Sequence, residues 1–268
     1  MIKKTLLEGI VLLTLFLTLF FTLLQVDFVS FFQVKNNMKA TENKIGDLIW
    51  DEIEREGRVI NNDSILATLD QLVLPICTKN KIERDSLKIH LVANDEVNAF
   101  ALPNNHLVVY TGLIFKCRKQ EALQGVLSHE IVHIQNNHVM KKLSKEIGLT
   151  LLISATTGGN GVGVLKEILK TLSSTAYDRN LEKEADLVAV KYLLKANVNP
   201  TPLADFMFEL AYEKEDLKGL SWLSTHPESG ARAKYILESL KGKTLANKTT
   251  LSVEEWDSFK TRIRSDLQ

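Results

Sequence analysis

His129-Glu130-Ile131-Val132-His133 constrains this chain more than any other stretch of it. Residues four apart in a helix share a face, so both imidazoles can reach one metal ion while the carboxylate stands beside it. The glutamate after the first histidine is then set to take a proton from an attacking water. The flanking Ala122, Leu123, Val126, Leu127, Val132 and Ile134 recur with the period of a buried helix. A fold built on this segment must bury a helix and still deliver further ligands to its face.

A catalytic zinc centre takes three protein ligands and leaves one position open. One known solution is a histidine that follows a glycine, six residues past the second histidine. Here that position is Val139 and no glycine intervenes, which excludes it. His138 lies nine residues past His129, half a turn away on an unbroken helix, so a structural role is expected for it. The other solution is a carboxylate from a second helix. The stretch from Asp178 to Asp186 offers Glu182 and Asp186 four apart on one face. A glutamate there can bind the metal while the aspartate orients a ligating imidazole through its other ring nitrogen. Glu184 points away from that face and is expected in solvent. Alone, the stretch reads as a charged helix face; the histidine pair 49 residues earlier gives it weight.

The chain of 268 residues carries 33 basic and 33 acidic side chains, which argues against a nucleic-acid partner held by general electrostatics. Its exceptional part is the start. Lys3 and Lys4 precede an apolar run from Gly9 to Leu24 that extends to Phe32 across Asp27. That is long enough to cross a bilayer as a helix. No small-residue cleavage site follows it, so an uncleaved signal anchor is favoured over a removed signal peptide. Lys3 and Lys4 favour a cytoplasmic amino terminus, against Lys35, Lys39 and Lys44 beyond the other end. The resulting division is a tail over 1–8, a transmembrane anchor over 9–32, an amphipathic linker helix over 33–60 and a metallopeptidase domain over 61–268.

Met38, Ile45, Leu48, Ile49 and Ile53 fall at helical spacing in that linker. A second helix is expected over Ile65 to Leu72, stopping near Pro75. Leu87 to Leu91 alternates like a strand, and Asn98 to Leu102 and His106 to Tyr110 read as two strands joined at Pro103-Asn104-Asn105. From Glu121 onward the pattern is helical, except that the glycine-rich 156–163 stretch is expected as a loop, either a lid or a plain connector. Ser252 and Glu255 form a capping box before Trp256, Phe259 and Ile263. Cys77 and Cys117 could pair in an oxidising compartment or remain buried thiols.

These residues together resemble the HtpX-like and CAAX prenyl endopeptidase group of zinc metalloproteases. Its HExxH and Arg-x-x-Glu-x-x-Ala-Asp patterns match His129 to His133 and Arg179, Glu182, Ala185 and Asp186. Further matches are Asn98-Ala99-Phe100-Ala101 with Pro103, Val108-Val109-Tyr110-Thr111-Gly112, and Ser224-Thr225-His226-Pro227 with Arg232, so the likeness runs from about Asp85 to Leu240. It implies an α+β, mainly helical zincin-like domain whose small sheet lays its edge strand along the cleft. It also implies one Zn2+ per chain on His129, His133 and Glu182, with Glu130 as general base and Asp186 and Arg232 supporting the ligands. Asn98, Ala99, Phe100 and Ala101 would bind extended substrate. His226 would stabilise the oxyanion or take the open coordination position. Asn104-Asn105 in place of a glycine-rich turn, and Asn137 in place of an arginine, depart from the pattern. The absence of a multi-span bundle makes prenyl-peptide processing unexpected.

The expectation is a single-pass membrane endopeptidase acting on unfolded or extended envelope proteins, with its domain outside a bacterial inner membrane. The competing reading is a zinc-binding, chaperone-like module of the same fold with little turnover. A helical scaffold in which the motifs are accidental is the third. Oligomeric state is left open.

Overall fold

The computed structural model describes residues 13–18, 34–156, 161–212, 221–245 and 249–268. It falls into two units, 1–41 and 42–268. In the first, residues 13–18 are helical; the rest of the expected 9–32 anchor lies outside the described residues. Among the described residues no helix is long and apolar enough to cross a membrane.

Helix α1 (Val34–Glu56) continues into the second unit, where Ile45, Ile49 and Trp50 sit in the main core. Strand β1 (Arg58–Val59) follows, then α2 (Asp63–Asn80). Asn62 caps α2 by accepting from the Ser64 N–H at 3.1 Å. The expected stop near Pro75 is corrected: the helix runs through it for five more residues. Proline deprives only the carbonyl four residues back, here that of exposed Gln71. Meanwhile Ile76 and Cys77 extend the buried face of Ile65, Leu69, Leu72 and Val73. Burial of two more side chains outweighs one bond lost to solvent.

The sheet contains β1, β2 (Lys88–Ala93), β3 (Ala99–Ala101) and β4 (His106–Tyr110) in the order β1-β2-β4-β3. Strands β2 and β4 run parallel, and the other pairs are antiparallel. The β3–β4 turn places both Asn104 and Asn105 in left-handed conformation, at φ 60° and 61°. Asparagine tolerates that region where most residues do not, so the pair substitutes for glycine. Strand β3 is an edge strand of the sheet, and its three residues are buried.

Short α3 (Thr111–Lys116) leads to α4 (Gln120–Gln135), which carries the histidine pair and is buried from Gln120 to Ile134. Helices α2, α8 (Arg179–Lys195) and α9 (Thr201–Tyr212) and strand β3 surround it. Gly125 lets α9 close in, since a Cβ there would meet the Leu203 side chain at 2.6 Å. Its buried amides bond to neighbours: Gln124 donates to the Leu72 carbonyl at 2.8 Å, and Gln120 exchanges two 2.7 Å bonds with the Leu251 backbone.

Helices α5 (His138–Glu146), α6 (Leu149–Thr156) and α7 (Gly161–Ser174) follow. The glycine-rich stretch is thus partly corrected: Thr156 ends one helix and Gly161 opens the next, where the first turn tolerates glycine. Residues 157–160, the centre of the suggested lid, lie outside the described residues. Helices α10 (Ser221–Thr225), α11 (Ser229–Leu240) and α12 (Val253–Leu267) complete the fold. Helix α12 opens with the expected Ser252–Glu255 capping box and buries Trp256, Phe259 and Ile263. Cys77 and Cys117 are free buried thiols, and burial pushes Cys77 up to about 11.

Candidate metal centre

Four buried side chains from three places in the chain meet beside α4. One ligand atom each from His129, His133, Glu182 and His226 lies within 4.8 Å of the others. The two Nε2 atoms of His129 and His133 are 2.9 Å apart. Glu182, in the first turn of α8, brings Oε1 to 3.3 Å from His133 Nε2 and Oε2 to 3.8 Å from His129 Nε2. Asp178 caps that turn by accepting from the Asn180 N–H at 2.9 Å, so the turn that presents Glu182 is fixed. His226, just past α10, sets Nδ1 at 3.0 and 3.1 Å from the Glu182 oxygens.

Asp186, one turn beyond Glu182, places Oδ1 2.9 Å from His129 Nδ1. A proton on Nδ1 satisfies that contact and leaves Nε2 a bare acceptor. Arg232 donates to Asp186 through Nε and Nη2 at 2.8 and 2.7 Å, and its Nη1 stands 2.6 Å from Glu182 Oε2. The Tyr235 hydroxyl donates to Asp186 as well. Trp222 lies 5.1 Å below the Arg232 guanidinium and stacks on His226 at 4.9 Å.

Burial alone would hold these groups neutral, and for all but His133 their neighbours overrule it. Desolvation drives Glu182 up, but His226 and Arg232 bring it well below the usual carboxylate range. Asp186 behaves likewise beside Arg232 and His129. Desolvation pushes His129 down, yet the Asp186 bond and charge leave it raised overall; His133, where burial dominates, falls well below its ordinary value.

A divalent cation fits this donor set. His129 Nε2 faces His133 Nε2 and a carboxylate, a group of electron-rich atoms that a shared cation would hold together. Glu130 Oε1 and His226 Nε2, 3.3 Å apart, are buried with no hydrogen-bond partner. Three carboxylates, Glu130, Glu182 and Asp186, are buried beside the histidines, and Arg232 pairs with the last two of them.

Glu130 reaches the sheet edge. In β3, the Asn98 carbonyl and Leu102 N–H bond β4, at 3.1 and 2.8 Å, which turns the main-chain groups of Ala99 and Ala101 to the free side. The Ala101 N–H donates to Glu130 Oε2 at 3.1 Å. Phe100 packs edge-on against Tyr110 at 5.6 Å. Asn98 is buried with its Oδ1 unpartnered.

Two expectations need correction. His138 is not half a turn away: α4 ends at Gln135, and Asn137 at φ 54° starts α5 at His138. The break folds His138 back until its Nδ1 is 3.1 Å from His133 Nδ1. Glu184, although 48% exposed at its side chain, is not simply solvated: Oε1 accepts from Asn136 at 2.7 Å and Oε2 lies 3.5 Å from His138 Nε2. Arg179, by contrast, pairs at the surface with Glu228.

Sequence reasoning missed Tyr177, Trp222, Tyr235 and Lys142. The Tyr177 ring lies 4.2 Å from His133 and 5.5 Å from His226, and the Lys142 ammonium sits 4.2 Å from it. Burial pushes Lys142 down to about 8. Only Tyr235 carried a usable signal, standing three residues after Arg232 on one helix face. His129, Glu130, His133, Asp186 and His226 have no exposed surface.

Among known proteins, the bovine (Bos taurus) "Metalloendopeptidase OMA1, mitochondrial" is 32% identical over 164 residues, 55% of this chain and 31% of that protein. "Metalloprotease LoiP" of Escherichia coli (strain K12) is 27% identical over 167 residues, 60% of this chain and 66% of its own length. The "Beta-barrel assembly-enhancing protease" of Yersinia pestis is 26% identical over 169 residues, 56% of this chain and 33% of that protein. The chain thus matches about a third of the bovine and Yersinia proteins and about two thirds of LoiP. The model of peptidase family M48 matches residues 65–240, well over half of the sequence and inclusive of every residue of the buried cluster. The chain belongs to peptidase family M48.

Proposed function

We propose that this protein is a zinc-dependent endopeptidase, tethered to a membrane by its N-terminal apolar segment, that cleaves unfolded or extended polypeptide. The observation that carries the reading is the convergence of His129, His133 and Glu182 on one point, with Glu130 between that point and the edge of β3. Nitrogen and carboxylate donors in this number suit zinc. The relatives named as metalloendopeptidases and proteases support the same chemistry.

When bound, zinc supplies a Lewis acid that polarises the scissile carbonyl and acidifies the attacking water. Glu130 takes the proton as water attacks and delivers it to the departing amine. Asp186 holds the His129 ring with its lone pair inward, and Arg232 keeps Asp186 and Glu182 ionised. His226 would either donate to the developing oxyanion or take the fourth position; its Nδ1 is the nitrogen beside Glu182, and its Nε2, 3.3 Å from Glu130 Oε1, makes no hydrogen bond. The outward main-chain groups of Ala99 and Ala101 can pair with an extended chain, which gives affinity with little sequence demand. Such pairing competes with Glu130 for the Ala101 N–H, so substrate arrival frees the base.

The apolar run over 9–32 supports anchoring, and Lys3 and Lys4 support a domain outside a bacterial inner membrane. A second reading, a zinc-holding module with little turnover, is favoured by the complete burial of the cluster. Glu130 weighs against it, because metal binding does not need that carboxylate.

Glu130→Gln should lower cleavage of an unfolded protein such as casein by at least about 10²-fold while one zinc per chain remains. Cleavage persisting near the wild-type rate in that variant would remove Glu130 as the base.

A further inference from the structure

The two paired histidines differ in what stands behind them, and the second has a backing that the reaction scheme above does not use. Behind His129 is the Asp186 carboxylate, and behind His133 is another imidazole, His138, with the Nδ1 atoms 3.1 Å apart. A neutral imidazole carries one N–H and one lone pair, so only one proton assignment lets this contact be favourable while His133 keeps Nε2 free. His133 carries its hydrogen on Nδ1 and donates it to the Nδ1 lone pair of His138. The hydrogen of His138 then sits on Nε2, which makes no hydrogen bond in the resting geometry and has Glu184 Oε2 at 3.5 Å as its nearby carboxylate. Glu184 is held in turn by the Asn136 amide at 2.7 Å. Each step follows from the one before it, and the chain ends on an exposed, adjustable carboxylate.

The backbone is shaped to permit this. The left-handed Asn137 breaks the helix two residues after Gln135, and only that break brings His138 against His133. Glu182 and Glu184 leave the same helix, one into the cluster and one around its outside. A histidine kept merely to fill core space would not need its nitrogen aimed at another ring nitrogen.

We propose that Glu184, His138 and His133 form an orienting relay, with His138 a positioning residue that fixes the tautomer and ring angle of the second metal-binding histidine. The inference rests on the reading of His133 as a zinc ligand. Ring-orienting partners of this kind are typically worth 10- to 100-fold in metal affinity.

The test uses the full chain and measures zinc affinity by competition with a chromophoric chelator, together with 15N spectra of the histidine rings. His138→Leu should weaken zinc binding by about 10- to 100-fold. His138→Asn, whose side-chain oxygen can occupy the acceptor position, should recover most of that loss. The zinc-loaded wild type should show His133 protonated at Nδ1. Glu184→Gln, an exposed change that leaves the core intact, should show a smaller loss in the same direction and keeps the test available if the leucine variant does not fold. Wild-type affinity in a folded His138→Leu protein, no recovery with asparagine, or His133 protonated at Nε2 would each overturn the relay. Wild-type zinc affinity in His133→Ala would instead overturn the ligand reading beneath it.

Discussion

Among the described residues, two clusters of histidine and acid are built on opposite logic. Against the sheet, Trp50 stacks on His90 at 3.5 Å, His90 Nε2 meets His106 Nδ1 at 2.9 Å, and His106 Nε2 meets Asp47 at 2.9 Å. Asp47 also accepts from Lys88 at 2.9 Å and from Asn104 at 2.8 Å. Here His90 Nε2 and both nitrogens of His106 have polar partners, and the groups form a line. Beside α4, the nitrogens of His129, His133 and His226 converge on a common point with Glu182, and Glu130 Oε1 and His226 Nε2 are among the buried atoms left without a hydrogen bond. The difference teaches that a metal site is recognised by unshared lone pairs aimed at one place, not by a count of histidines. It also separates roles: the linear cluster docks α1 on the sheet, and the convergent one is available for chemistry.

The largest expected effect tests that division directly. Glu182→Ala should lose stoichiometric zinc, as measured by metal analysis after dialysis, whereas Asp47→Ala should keep one zinc per chain. Retained metal in the first variant, or lost metal in the second, would break the contrast.

Next in size is the buried charge at the convergent site. Arg232→Met leaves Asp186 and Glu182 without their cation, and removal of one partner from such a buried pair costs about 3–5 kcal/mol. Denaturant unfolding of the metal-free protein should show it. A loss below about 1 kcal/mol would mean that the guanidinium is not what holds these carboxylates ionised.

The smallest effect concerns the linear cluster and pH. Burial, with help from His106 and Lys88, lowers His90 to about 4, below its ordinary 6.5. The unfolded chain therefore binds more protons between those values, and stability falls as pH drops from about 6.5 toward 4. His106 is lowered in the same sense, mainly by burial. His90→Phe, which keeps a ring over Trp50, should flatten the acid limb of a Tm-against-pH curve; an unchanged limb would assign the acid sensitivity elsewhere.

Much of this was readable in the residues because periodicity and chemistry agreed there. The α4 helix, the β3–β4 hairpin and the α12 cap each had local signals that tertiary packing reinforced. Glu182 and Asp186 could be singled out because four residues make one helical turn. Pro75 misled because a local rule was overridden by the burial of Ile76 and Cys77. His138 misled because the helix break uses neither glycine nor proline; the pair Asn136-Asn137 was the only cue, and asparagine is a weak one. Tyr177 and Trp222 were beyond reach, since an aromatic that lines a site has the same sequence appearance as one that fills a core.

The sealing of the reactive groups has a kinetic consequence. A protease whose working atoms never meet solvent in its resting form can act only during excursions from that form. Its observed rate is then the rate of the open state multiplied by the fraction of time spent there. Under the proposed function, whatever lengthens the excursions would set the pace of digestion without touching the chemistry.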